Sequence, residues 1–291
     1  MRFAFSNIDG LISAALVEDS TSFDATTDAL ISSEHVAEAS IISKSNGIVS
    51  GLEVSEFVFK KMDNSLDYSY KATDGDKVVE YQPVATIKGS FASILKGERT
   101  ALNFLQRMSG ISTLVSKYVD AVSGTNAKIV DTRKTLPGHR ILDKYAVKIG
   151  GGGNHRINLS DGILIKDNHI NFLKNNGYSL SEIINKARSN AGFGLKIEIE
   201  VETYKDAVNS VKSGADIVLL DNMPLDEMEK TVSDLRTIDK NVIIEASGGI
   251  GLNNVSNIAK TGVDIISVGA LTHSVIAHDF SLISSCEDFT E

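Results

Sequence analysis

Val211-Lys-Ser-Gly214-Ala-Asp216-Ile-Val-Leu-Leu-Asp221-Asn222 reads as the end of a helix, a glycine that stops it, a short apolar strand, and a polar pair that closes the strand. Glycine suits the left-handed position just beyond a helix. Ile258-Ala-Lys-Thr-Gly262-Val-Asp264-Ile-Ile repeats the pattern. Outward from these two segments, short apolar runs alternate with amphipathic stretches of helical length. The runs are 128–130, 163–165, 196–201, 216–220, 242–245 and 264–268. That rhythm is the mark of βα units and a parallel sheet.

The residues that close each run carry the functional signal. The first is closed by Asp131-Thr132-Arg133-Lys134, the second by Lys166-Asp167-Asn168-His169 and the fourth by Asp221-Asn222. The fifth ends on Ser247-Gly248-Gly249 and the sixth on Val268-Gly269-Ala270. The third, Ile197-Glu198-Ile199-Glu200-Val201, has its carboxylates inside the strand. Polar groups at the C-terminal ends of parallel strands converge on one face of an α/β barrel, the face that carries chemistry. A doubly wound open sheet would also put its site there. Upstream, the residues between about Ile41 and Gly97 read as extended segments with turns, a small sheet-containing domain. A helix is expected from about Thr100 to Val122, where apolar residues recur at spacings of three and four.

The chain has 291 residues and a formal net charge of −9, which argues against nucleic acid or a membrane surface as partner. Between Lys96 and Lys166, however, twelve Lys or Arg face five acids, an island of +7 in a remainder of about −16. Cys286 is the single cysteine, so a disulfide framework is not expected and a reducing, cytoplasmic setting is. The apolar run Leu11 to Val17 is too short for a span and is flanked by acids, unlike a signal peptide. His35, His139, His273 and His278 show no metal-ligand spacing, and a zinc site is not expected.

Glycines at the ends of two late strands let backbone N–H groups approach a phosphate. Arg133, Lys134, His155, Arg156 and Lys166 combine planar guanidinium forks with compact ammonium charges, a mixture suited to a ligand with several anionic groups. Glu200 and Asp221 are the acids expected on the same face, able to hold ribose hydroxyls or Mg²⁺. Alternation alone does not separate Glu200 from Glu198 or Glu202.

Gly97-Glu-Arg-Thr-Ala-Leu-Asn-Phe-Leu-Gln106, Asp131-Thr-Arg-Lys-Thr-Leu-Pro-Gly138, Gly150-Gly-Gly-Gly-Asn-His-Arg156, Leu164-Ile-Lys-Asp-Asn-His169, Glu245-Ala-Ser-Gly-Gly249 and Ser267-Val-Gly-Ala-Leu-Thr-His273 together resemble the quinolinate phosphoribosyltransferase family. The likeness runs through most of the chain from Gly47 onward. It departs at Phe23, where a glycine is expected, and at Tyr81, where the family favours glycine. The resemblance implies an N-terminal α/β sandwich domain over 1–110, completed by the tail 274–291, and an open (β/α) barrel of fewer than eight strands over 111–273.

It also implies transfer of a phosphoribosyl group from phosphoribosyl pyrophosphate to quinolinate with decarboxylation, and a homodimer in which Arg99 reaches into the neighbouring subunit's site. Carried over residue by residue, Thr132, Arg133, Lys134, His155 and Arg156, with Arg99 in trans, would hold quinolinate. Lys166, Glu200 and Asp221 would contact phosphoribosyl pyrophosphate, the last two with Mg²⁺. Ser247, Gly248 and Gly249, with Val268, Gly269 and Ala270, would take the ribose phosphate. Lys134, Lys166, Glu200 and Asp221 are the expected catalytic set. The competing expectations are a molybdenum-transport-associated relative of the same fold and a non-catalytic phosphosugar-binding protein.

Overall fold

The computed structural model describes residues 8–32 and 34–285, so Cys286 lies outside the described residues. Contacts divide the chain into two compact units. The first takes the chain up to Ser116, Thr135–Gly151 and the chain from Leu271; the second takes Lys117–Lys134 and Gly152–Ala270. Residues 111–116, 135–151 and 271–273 of the expected barrel range therefore lie in the first unit.

The first unit opens with α1 (Asp9–Glu18) and α2 (Ala25–Leu30). Asp24 caps α2, its carboxylate accepting from the Thr26 and Thr27 amides at 2.9 and 3.1 Å. Then come β1 (Val36–Ser43), β2 (Gly47–Ile48), α3 (Leu52–Met62), β3 (Asp67–Tyr70), β4 (Lys77–Val78), β5 (Pro83–Ser90) and α4 (Phe91–Ala121). Helix α3 was not expected, because that stretch read as extended. Its buried face is Leu52, Val54, Ser55, Val58 and Phe59. Its first amides are capped from a distance by Asp74, whose carboxylate accepts from Gly51 and Leu52 at 2.8 and 3.0 Å.

Helix α4 begins nine residues earlier than expected. Gly97, where the extended region was expected to end, lies inside this helix as a close-packing site: a Cβ there would lie 3.0 Å from the Phe59 ring. Tyr81 adopts φ 66, the left-handed region that glycine enters without penalty, which is a physical reason for glycine at this position. Its ring lies under Lys44 Nζ, 4.6 Å from the ring centroid.

The second unit begins with β6 (Lys128–Val130), after which the chain passes through α5 (Arg140–Ile149) of the first unit. It continues with β7 (Ile163–Ile165), α6 (Asp167–Asn175), α7 (Leu180–Asn190), β8 (Ile197–Val201), α8 (Tyr204–Lys212), β9 (Ile217–Asp221), α9 (Leu225–Ile238), β10 (Ile243–Ser247), α10 (Val255–Lys260) and β11 (Ile265–Ser267). The last elements are α11 (Ala270–His273) and β12 (Phe280–Ser285). Strand β12 pairs antiparallel with β1, giving the first unit a four-stranded sheet in the order β12-β1-β5-β3.

The six expected strands are the six observed, in one parallel sheet ordered β6-β11-β10-β9-β8-β7. β6 and β7 are its two ends, as in an open barrel. Ile199, Val218 and Ile244, on the sheet face opposite to Glu200, Leu219 and Glu245, are fully buried. The parallel register sets Ser247 beside Asp221, and Glu200 beside Leu219 and Glu245 two residues earlier along the strands, so the polar groups share one face near the strand ends. Beyond β6, Gly153 forms a parallel bridge to Val130, and its amide donates to Ile129 O at 2.8 Å. A Cβ at Gly153 would meet the Val130 side chain at 3.2 Å.

Candidate active site

A cavity of about 310 Å³ opens at the strand ends of the second unit. Of the expected site residues, Thr132, Arg133, Lys134, His155, Arg156, Lys166, Glu200 and Ser247 line it, together with Leu164, Leu219, Glu245 and Ser267. Asp221, Gly248, Gly249, Val268, Gly269 and Ala270 are not among its lining, although Asp221 pairs with Ser247. Arg99 is in the first unit, where it lines a separate cavity of about 440 Å³ with Asn103, Arg107 and His139.

Four permanent cations face two carboxylates in the smaller cavity, a site built for anions. Burial, and then the nearby Arg133 charge, push the Arg156 guanidinium down from its usual range. Two like charges held this close destabilise each other until an anion lies between them. The turn after β6 is fixed locally: the Lys134 amide donates to Thr132 Oγ1 at 3.0 Å. Lys166, at the end of β7, pairs with Glu200 on β8.

The loop carrying His155 is pinned by Asp131, which is fully buried. Its two oxygens accept from Asn154 Nδ2 at 2.6 Å and from the His155 amide at 2.9 Å. The His155 ring turns inward. Nε2 lies 3.2 Å from Glu198 on β8 and 3.4 Å from Glu245 on β10. Nδ1 accepts the Arg156 amide at 2.8 Å.

These contacts pull in opposite directions. Burial lowers the His155 pKa, but the two carboxylates overcome it and pull it up to about 10, favouring a proton on each nitrogen. The Arg156 amide requires a bare Nδ1. Because Asp131 holds the backbone that carries this amide, the geometry favours the tautomer with its single proton on Nε2. Both ring nitrogens thereby lie against protein groups, while the side chain lines the cavity. Burial pushes Glu198 above the usual carboxylate range.

Glu198 and Glu200 both face inward, one beneath His155 and the other beside Lys166, while Glu202 is exposed. Glu245 and Ser267 were not singled out from the sequence. Glu245 shares a strand face with Ser247 by the period of two, a signal that could have found it. Among the described residues, His155, Glu198 and Glu245 are the one trio placed to ligate a metal, and none belongs to the expected Mg²⁺ pair. Glu200 and Asp221 still fit Mg²⁺, because two carboxylates on adjacent strands supply hard oxygen donors and substrate phosphates complete such sites.

The late glycine segments are shaped for backbone approach. Gly248 and Gly249 have φ 90 and 57, and Asn254 steadies the turn by accepting from Gly251 N at 2.9 Å and donating to Gly249 O at 3.0 Å. In the other segment, the Val268 amide is already bonded to Val130 O at 3.0 Å, so it is not available to a phosphate.

Residues 24–109 match the N-terminal domain of quinolinate phosphoribosyl transferase and residues 111–283 match its C-terminal domain. The chain is 39% identical over 272 residues to the probable nicotinate-nucleotide pyrophosphorylase [carboxylating] of Bacillus subtilis (strain 168), spanning 94% of this chain and 91% of that one. It is 38% identical to the nicotinate-nucleotide pyrophosphorylase [carboxylating] of Mycobacterium leprae (strain TN) over 89% of this chain and 90% of that one. Among solved structures, NadC from Streptococcus pyogenes superposes with a TM-score of 0.91 at 38% identity, covering 98% of this chain and all of that one. The chain belongs to the quinolinate phosphoribosyltransferase family.

Proposed function

We infer that the protein transfers the phosphoribosyl group of phosphoribosyl pyrophosphate to quinolinate and decarboxylates the product, giving nicotinate mononucleotide, CO₂ and pyrophosphate in NAD biosynthesis. The observation that carries this reading is the cation-lined cavity in which Arg133, Lys134, Arg156 and Lys166 converge on a space of ligand size. Quinolinate is a planar dianion. Arg133, Lys134, His155 and Arg156, with Thr132 shaping the turn, hold its carboxylates, and Arg99 is contributed across a homodimer interface. His155 sets the Arg156 backbone and closes the floor against Glu198 and Glu245.

The pyridine nitrogen attacks the anomeric carbon of the sugar, the C–O bond to pyrophosphate breaks, and the bonding pair leaves with pyrophosphate. The transition state has oxocarbenium character, so placement of the two reactants and stabilisation of the departing phosphates dominate the rate. Lys166 supplies one positive charge there, oriented by Glu200. Glu200 and Asp221 would hold Mg²⁺, which when bound with pyrophosphate neutralises leaving-group charge. The Ser247–Gly249 turn and the Val268–Ala270 segment take the ribose phosphate.

Ribosylation leaves the ring nitrogen cationic. The carboxylate at the adjacent carbon then leaves as CO₂, its bonding pair stays on that carbon, and a proton completes the product. The cations must bind that carboxylate without over-stabilising it, since only groups that favour the transition state more than the ground state accelerate the step. We place this activity in the cytoplasm; no described helix is long and apolar enough to cross a membrane.

The test is CO₂ release from ring-labelled and carboxyl-labelled quinolinate with Mg²⁺, with and without phosphoribosyl pyrophosphate. Turnover only with both substrates is expected. Tight binding of the phosphosugar with no CO₂ at any enzyme concentration would instead identify a binding protein. For the shared site, Arg99→Ala and Lys134→Ala, each inactive alone, should regain part of the activity when their subunits are mixed. Verified subunit exchange without recovery would remove Arg99 from the neighbouring site.

A further inference from the structure

Strand β9 ends on Asp221, and the next residue, Asn222, has φ 51. It is one of three non-glycine residues in the left-handed region among the described residues. Asparagine tolerates this conformation better than most residues, so the plain account is that it only turns the chain out of the strand. Its contacts go further. Nδ2 donates to Asp221 Oδ2 at 2.8 Å, and the backbone amide donates to Ser247 O at 3.0 Å. A Cβ on Gly248 would lie 2.3 Å from Asn222 Oδ1 and 2.4 Å from its Cγ. The Asn222 amide thus occupies space that exists only because residue 248 has no side chain. One side chain touches both the expected metal-facing acid and the expected phosphate turn.

We propose that Asn222 is a positioning residue for phosphoribosyl pyrophosphate, setting the Asp221 carboxylate against the Ser247–Gly249 turn. Donation to Oδ2 fixes the rotation of the carboxylate and leaves Oδ1 for the magnesium salt of the substrate. The backbone bond to Ser247 ties the same residue to the turn that takes the ribose phosphate, so the two ends of the substrate are held at a set separation. This rests on the assignment of Asp221 and the turn in the proposed function.

The test uses the full chain as wild type, Asn222→Gly and Asn222→Asp. Glycine adopts φ 51 freely, so it removes the amide and spares the turn. Aspartate keeps the size but has no N–H to donate. Binding of Mg²⁺-phosphoribosyl pyrophosphate is measured by calorimetry in the presence of benzene-1,2-dicarboxylate, which offers two carboxylates but no ring nitrogen and so cannot react. KM values for both substrates are measured alongside. Loss of a hydrogen bond to a charged group corresponds to about tenfold or more.

Both variants are expected to bind the phosphosugar about tenfold more weakly and to raise its KM, with the quinolinate KM within twofold of wild type and the Asn222→Gly melting temperature not lowered. Wild-type affinity in Asn222→Gly would show that only the turn matters and overturn the proposal. Equal weakening for both substrates would overturn it as well. A wild-type chain that binds no phosphoribosyl pyrophosphate would sink the parent reading and this proposal with it, an outcome distinct from the other two.

Discussion

Asp143 is fully buried on α5, and its carboxylate is the hub of the first unit's polar interior. Arg107 on α4 grips it with two parallel bonds, Nε to Oδ1 at 2.9 Å and Nη2 to Oδ2 at 2.8 Å. The same Nη2 donates to Thr272 O at 3.0 Å, and the Leu136 amide donates to Asp143 Oδ2 at 3.2 Å. Leu136 lies two residues beyond Lys134, and Thr272 two beyond Ala270. Replacing Asp143 by alanine leaves a guanidinium that is 23% exposed and an amide without its acceptor. Removing one partner of a buried pair costs about 3–5 kcal/mol. The residual exposure of Arg107 puts the value near the lower end, about 3 kcal/mol. For a protein of this size that is a fall in melting temperature of roughly 6–12 °C.

Substituting the whole pair, Arg107→Met with Asp143→Leu, should recover much of the loss, because an apolar pair carries no desolvated charge. The chain has no tryptophan, so unfolding is followed by far-UV circular dichroism in urea. Hydrogen exchange at the Leu136 amide reports on the loop directly and should accelerate in Asp143→Ala. A cost below about 1 kcal/mol, or a double variant no more stable than the single one, would refute the argument that this pair is a buried hub.

At Tyr81 the left-handed backbone costs an ordinary residue about 1–2 kcal/mol, offset in glycine by its freer unfolded state. Tyr81→Gly should therefore be more stable than Tyr81→Ala by about 1 kcal/mol in urea unfolding; the reverse order would remove the strain at this position. Burial lowers the pKa values of His139 and His278, so the folded state favours their neutral forms and binds fewer protons than the unfolded state once pH falls below about 6.5. Melting temperature should drop between pH 6.5 and 5.5, and a rise across that window would contradict the assignment.

For His155 the sign is opposite: an imidazolium with its pKa pulled up to about 10 would add stability below pH 6.5 that fades as pH climbs toward 10. The bare Nδ1 facing the Arg156 amide predicts instead one protonated ring nitrogen at pH 7, to be read from ¹H–¹⁵N correlations of the imidazole. Two protonated nitrogens would mean that the Arg156 hydrogen bond does not form. Lys166→Met should lower kcat/KM by a hundredfold or more with little change in melting temperature, since the pair with Glu200 is partly solvated. A large loss of stability with activity retained would reverse that ranking.

The parts of the fold and site that were legible in the sequence rest on periodicity. A parallel strand buried on both faces must be a continuous apolar run, and in this architecture the residue that ends the run falls on the reactive side. Lys134, Lys166 and Ser247 were therefore visible from position alone, whereas Glu200 was not separated from Glu198 and Glu202 on its strand. The illegible parts share a different cause: each depends on a partner remote in sequence. Helix α3 is capped by Asp74, twenty-two residues from Leu52, so no local signal marks its start. Gly97 marked the end of the extended region in the sequence, and its place inside α4 follows from packing against Phe59. The surroundings of His155 could not be read from its neighbours, because β8 and β10 bring Glu198 and Glu245 to one nitrogen while the Arg156 amide meets the other. Asn222 belongs to the same group. Read in isolation it is a turn residue after a strand, and only the Gly248 backbone, twenty-six positions on, gives its amide a fixed place from which to orient Asp221.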